Sequence, residues 1–189
     1  MQRSTAIIDA NVLVSMTLTD LLIECAYRGL FAARWTDDIH REWIKAVRQM
    51  YPSLPSDKLE RRRKAMDKSG RDALLTDYQP LVPTLQLPDP SDRHVLAAAI
   101  HGACDAIVTF DLKHFPADVL AAHGIAPVHP DTFLLTAFTE QQPDVLASVK
   151  ACRARLKNPA KTAEVYLAQI AKAGAPLLAA RLAPYKQLI

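Results

Sequence analysis

Residues 88–116, PDPSDRHVLAAAIHGACDAIVTFDLKHFP, leave few folds open to this chain. Asp89 is placed to cap a helix whose first position is Pro90, where a missing N–H is no loss. Val95, Leu96, Ala99 and Ile100 recur at helical spacing and give that helix one apolar face. Gly102 can end it. Ala106, Ile107, Val108 and Thr109 then read as a strand buried on both faces, which is the pattern of a parallel sheet. Asp92 falls in the first turn of the helix and Asp111 just past the strand. The rest of the chain reads as bringing further acids to the place where these two meet.

The N-terminal half repeats the strand-then-acid pattern. Thr5-Ala6-Ile7-Ile8 is a short apolar run that ends in Asp9, followed by Asn11, just beyond the carboxyl end of a central strand. Taken alone, Asp9 reads as an ordinary turn acid. Thr19 or Asp20 can cap a helix ending at Gly29, and residues 31–36 read as a second strand. Asp37 and Asp38 are placed as caps for a helix through Trp43 and Val47, with Glu42 one turn in. Ser56 caps a charged helix over 56–68, whose Arg61-Arg62-Arg63-Lys64 run reads first as a solvated face and second as a surface for a polyanion. Residues 72–78 read as a further short helix. Residues 81–87 read as an extended edge segment, interrupted by Pro83. A short helix ends at Gly124, a last strand spans 125–129, and Pro130-Asp131 opens another helix.

From residue 140 strand signals cease. Three helical patterns follow, over 143–156, 159–172 and 176–188, punctuated by Asn158-Pro159, Gly174 and Pro184. The expected organisation is an α/β domain over 1–139 and an all-helical C-terminal extension over 140–189. The expected fold is a three-layer α/β/α sandwich around a central parallel sheet.

Bulk properties add limits. A chain of 189 residues holds one good core with an appendage. A net charge of +3 neither demands nor discourages a polyanion. Cys25, Cys104 and Cys152 are scattered and odd in number, which fits reduced thiols rather than a disulfide or zinc framework. The start MQRSTAIIDANVLV enters a strand pattern with no long apolar leader, and no apolar run reaches membrane-spanning length. The expectation is a cytoplasmic protein.

Asp9, Glu42, Asp92 and Asp111, gathered in one crevice, would repel one another strongly unless a cation joined them. An all-oxygen site suits Mg²⁺, with Mn²⁺ as an alternative, and such sites commonly work on phosphates.

IIDANVL, a helical Glu42, and DPSDRHVLAAA followed by IVTFDLKHF together resemble the PIN-domain nucleases, and among them the VapC-type toxins of type II toxin–antitoxin systems. The resemblance covers residues 4–138. It implies that Asp9, Glu42, Asp92 and Asp111 are catalytic, metal-ligating acids, with Asn11 and Thr109 orienting the ligands or a metal-bound water. It implies Mg²⁺-dependent endoribonuclease activity leaving 5′-phosphate and 3′-hydroxyl ends, with RNA as substrate, a cognate antitoxin as partner, and pairing into a homodimer. Asp89 is assigned to capping and Asp92 to the metal because the family's acid directly precedes the Arg-His-hydrophobic run. Arg93, Arg41 and Lys113 are placed near the site, where they can meet RNA phosphates, an antitoxin carboxylate, or solvent alone. Histidine has no duty in this scheme; His94 and His101 read as surface or packing residues.

Two other readings stay open at this level. One is a non-catalytic RNA- or protein-binding module with the same fold, although a binder has no need to hold repelling carboxylates together. The other is a phosphatase with Asp9 as nucleophile, weakened by Asn11 standing where that chemistry wants a second acid.

Overall fold

The computed structural model describes residues 4–70 and 72–189; the first three residues of the expected domain, and Arg71, lie outside the described residues. Strand β1 (Thr5–Ile8) pairs in parallel with β2 (Ala32–Thr36) on one side and β4 (Ala106–Val108) on the other. Two shorter strands, β3 (Leu74–Leu75) and β5 (Ala126–Val128), extend the two edges. The sheet is wholly parallel, in the order β3-β2-β1-β4-β5. Ala6, Ile7, Ile8, Ile107 and Val108 are all buried, as strands covered by helices on both faces must be. This is the α/β/α architecture expected from the sequence.

That strand order fixes where a ligand can sit. The chain leaves β1 toward β2 and β3, then returns to lay β4 on β1's other side. Between β1 and β4 the direction of winding reverses, so the connections after these two strands part and leave a crevice beyond their carboxyl ends. Asp9 follows β1 and Thr109–Asp111 follow β4, so the first expected acids lie at that crevice.

The early helices are α1 (Ala10–Leu13), α2 (Met16–Tyr27), α3 (Asp37–Met50), α4 (Ser56–Ser69), α5 (Arg93–His101) and α6 (Ala117–Ala121). Several local expectations are corrected. Helix α2 starts earlier than expected, because Ser15 Oγ accepts from Leu18 N; Thr19 is buried inside it and its hydroxyl donates back to Ser15 O at 2.8 Å. Helix α3 is capped by Thr36, which accepts from Ile39 N, while Asp37 and Asp38 occupy the first turn. Helix α4 follows Pro55 with no side-chain cap, so Ser56 does not serve as one. Residues 72–78 make no helix. Asp72 and Asp77 have φ of 63° and 64°, which interrupts a right-handed helix, and Leu74–Leu75 are recruited by the open edge of β2. The segment expected to be extended over 81–87 begins in a 3₁₀ turn, Gln79–Thr84.

A buried polar network anchors α3 and α4 to the sheet. Trp43 Nε1 donates to His40 Nδ1 at 2.8 Å, which leaves His40 Nε2 as the donor to Asp67 at 2.9 Å. Trp35 Nε1 donates to the same Asp67 oxygen. Burial holds the His40 pKa below its usual value, keeping the ring neutral, as this bonding requires. The Arg62 guanidinium lies 4.4 Å above the Trp43 ring and donates to Leu13 O.

The C-terminal part is mainly helical: α7 (Pro130–Glu140), α8 (Gln142–Arg155), α9 (Ala163–Lys172) and α10 (Pro176–Leu182). A turn closed by a bridge between Lys157 and Ala160 separates α8 from α9, so the helix expected from residue 159 begins at 163. Helix α8 lies on α2, where Arg155 bridges Glu24 at 2.6 Å and Asp20 at 3.1 Å. Helix α10 docks on α7 through a buried carboxylate: Asp131 accepts from Leu177 N at 2.8 Å and Leu178 N at 2.9 Å. Among the described residues, no helix is long and apolar enough to cross a membrane.

Candidate active site

The ends of β1 and β4 are laced together by one hydroxyl. Asp9 Oδ1 accepts from Ala10 N at 2.7 Å, capping α1, and its Oδ2 accepts the Thr109 hydroxyl at 2.7 Å. Thr109 Oγ1 in turn accepts from Asn11 Nδ2 and from Asp111 N, each at 3.0 Å. The hydroxyl thus commits its proton to Asp9 and both lone pairs to its other neighbours. Asn11 completes the lacing: its Nδ2 reaches Asp111 Oδ2 at 3.3 Å and its Oδ1 accepts from Phe110 N at 3.3 Å.

Two helices bring the other acids. Asp89 accepts from Ser91 N at 2.9 Å and from Ser91 Oγ at 2.7 Å, stabilising a 3₁₀ turn, Pro90–Asp92, that leads into α5. Asp92 ends that turn, and its Oδ2 meets His114 Nδ1 at 2.9 Å. Glu42, one turn into α3, meets His94 Nε2 with its Oε1 at 2.9 Å. Ligand atoms of Asp89, Asp92 and His114 lie within 4.8 Å of one another. Arg93 turns to Gln86, 3.1 Å away, and Arg41 pairs with Asp38, while Lys113 is exposed.

Charge couples Asp9 with Asp92 and Glu42. The Asp9 carboxyl is pushed up from 3.8 to about 6, first by burial and further by the charges of Asp92 and Glu42; the bonds from Thr109 and Ala10 pull the other way. Asp92 is raised by burial and by Asp89 and Glu42, with His114 opposing. Asp89 lies at the outer edge of the cluster, and its bonds from Ser91 hold its pKa below the usual range. Asp9, Glu42 and Asp92 therefore feel one another, and Asp111 joins them through Asn11. Carboxylate oxygens this close in charge fit a hard divalent cation, whose charge would offset the burial and the repulsion that raise Asp9.

Two outcomes follow from this geometry. Thr109→Val removes the donor to Asp9, takes one of the two acceptors from the Asn11 amide and strands the Asp111 N–H. Mn²⁺ affinity, measured by calorimetry, is expected to fall about 10- to 100-fold, with Thr109→Ser near wild type. The second outcome concerns pH. In chelator-treated protein the native state holds the Asp9 proton more tightly than the unfolded chain does. Asp9 ionisation therefore lowers stability as pH rises from about 4 to about 6, by up to about 3 kcal/mol. Denaturant titrations at pH 4.5 and 7 should show Asp9→Asn gaining on wild type across that interval. A constant difference would mean that Asp9 titrates normally.

His94 and His114, not expected to have a duty, are the partners of Glu42 and Asp92. Both stand inside the RHVLAAA and DLKHF segments already singled out, but nothing in their spacing reveals which acid each meets.

Comparison with known proteins places the chain in a family. The PIN domain family (PIN_3) matches residues 5–113, more than half of the chain, and the VapC50 C-terminal domain matches residues 130–184. A protein of Mycobacterium tuberculosis (strain ATCC 25618 / H37Rv) named "Putative ribonuclease VapC50" is 57% identical over 44 residues, which are 23% of this chain and 26% of that protein. The aligned stretch thus spans about a quarter of that relative's length. No solved structure matches the chain significantly. The chain belongs to the PIN-domain family, as a member of its VapC type.

Proposed function

We propose that this protein is a divalent-metal-dependent endoribonuclease, the toxin of a type II toxin–antitoxin pair, that hydrolyses RNA to 5′-phosphate and 3′-hydroxyl ends. The observation that carries the reading is the buried Asp9 at the sheet's switch point, bonded by Thr109 across from β4 and near enough to Asp92 and Glu42 to feel their charges. The ribonuclease in the relative's name and the VapC-type C-terminal segment support it.

Asp9, Glu42, Asp92 and Asp111 would hold Mg²⁺, or Mn²⁺ in its place. When bound, the ion supplies positive charge to a phosphodiester oxygen and acidifies a water. The remaining work falls to the chain. Thr109 and Asn11 fix Asp9 and Asp111 at the strand ends. His114 and His94 each occupy one oxygen of Asp92 and Glu42, which orients the other. At pH 7.5 Asp9 is ionised and available as a ligand. Arg93, next to Asp92, is proposed to meet an RNA phosphate. Residues 1–139 act as the nuclease domain and 140–189 as its helical extension. A cognate antitoxin, a homodimer and a cytoplasmic setting complete the proposal.

The test is incubation of purified protein with single-stranded RNA and Mg²⁺, with the new ends mapped. Cleavage abolished by EDTA and restored by excess Mg²⁺, leaving 5′-phosphates, is expected. Cleavage that persists in EDTA and leaves 2′,3′-cyclic phosphates would refute the metal-dependent reading. RNA binding without cleavage would favour a binding module.

A further inference from the structure

The residue between Thr109 and Asp111 is held by the C-terminal helices. The Phe110 ring sits edge-on to the His129 ring, with centroids 5.1 Å apart at 74°. On another side it meets the backbone of Gly174, in the turn after α9. A Cβ at position 174 would lie 2.6 Å from both Cε1 and Cζ of Phe110. Gly174 also has φ of 108°, a conformation other residues rarely adopt. Glycine is thus required there twice, once by the backbone and once by the ring.

The surroundings close into a circuit. His129 caps α7 and accepts from Asp131 N at 3.2 Å. Asp131 accepts from Leu177 and Leu178 N, which fixes the start of α10 and so the turn that contains Gly174. Within this frame Phe110 N donates to Asn11 Oδ1, and the residues on either side of Phe110 bond Asp9 and Asn11.

We propose that Phe110 is a positioning residue for the metal site, and that Gly174 of the C-terminal helical part seats it. The acid-bearing end of β4 is then completed by the extension rather than by the α/β domain alone. A ring displaced from its seat shifts the Phe110 backbone, and with it the Asn11 bond and the placing of Asp111. The inference rests on the metal-dependent reading above and adds to it a role for the extension.

The test is Mn²⁺ calorimetry at pH 7.5 on full-length wild type, Gly174→Ala, Phe110→Leu and the double variant, with a thermal melt of each. Phe110→Leu deletes the atoms that would clash and carries no backbone strain, so it remains informative if Gly174→Ala folds poorly. Each single change is expected to weaken Mn²⁺ binding about tenfold, the scale of coupling between touching groups. The double variant is expected to match Phe110→Leu alone, because both act on one contact. Melting temperatures that fall while Mn²⁺ affinity stays at the wild-type value in every variant would overturn the proposal, as would effects that simply multiply. Wild type that binds no Mn²⁺ would instead remove the underlying reading, and the proposal with it.

Discussion

Asp9→Asn is expected to lower Mg²⁺-dependent RNA cleavage by about 1,000-fold or more, as when a group that places charge on the reacting phosphate is lost. The substitution is nearly isosteric. The new side chain keeps an oxygen for Ala10 N, but its amide nitrogen then faces a Thr109 oxygen whose lone pairs already serve Asn11 and Asp111. That conflict costs about 1–2 kcal/mol. In metal-free protein at neutral pH the removal of a buried charge returns up to about 3 kcal/mol, since Asp9 ionises only at about 6. The gain outweighs the conflict by about 1–2 kcal/mol at most, so the melting temperature should rise by only a few degrees. Parallel measurement of cleavage rate and circular-dichroism melting separates the effects. Wild-type cleavage by this variant would remove Asp9 from the chemistry.

Asp131→Ala should give the largest loss of stability. The carboxylate is 3% exposed and satisfies two backbone N–H groups that begin α10. Alanine leaves both without an acceptor in a site closed to water, at a cost of about 2–4 kcal/mol. Asp131→Asn retains one good acceptor and should lose about half as much. Urea denaturation of the three proteins checks this. A loss under about 0.5 kcal/mol for the alanine variant would show that water replaces the carboxylate. Hydrogen exchange in Asp131→Ala should rise first at Leu177 and Leu178, which depend on that carboxylate most directly.

The parts of this molecule that sequence made legible are those where residue type and strand end coincide. Asp9 closes the run TAII and Asp111 follows AIVTF, so a buried strand and the place of its acid are written in one segment. Asp89 and Asp92 were separable only through the resemblance, because both suit a helix start; in the structure Asp89 serves Ser91 and Asp92 shares the field of Asp9 and Glu42. What stayed hidden depends on partners far along the chain. Strand β3 is two residues long, too short for any periodicity, and exists because β2 offers an open edge. The pairing of His94 with Glu42 and of His114 with Asp92 is set by how α5 and the loop after β4 approach α3 and the 3₁₀ turn. Gly174 reads as punctuation between helices; only packing shows that its missing Cβ is the space for Phe110.

Whether carboxylates remote in sequence share one divalent ion can be seen without any assay of cleavage. Crystals soaked in Mn²⁺ at pH 7.5 and measured for anomalous scattering should give a peak in the crevice beyond β1 and β4. Asp9 and Asp92 should ligate it, with Glu42 and Asp111 bonded directly or through water. A crevice without a peak, or manganese held only at Asp89, would contradict the shared site.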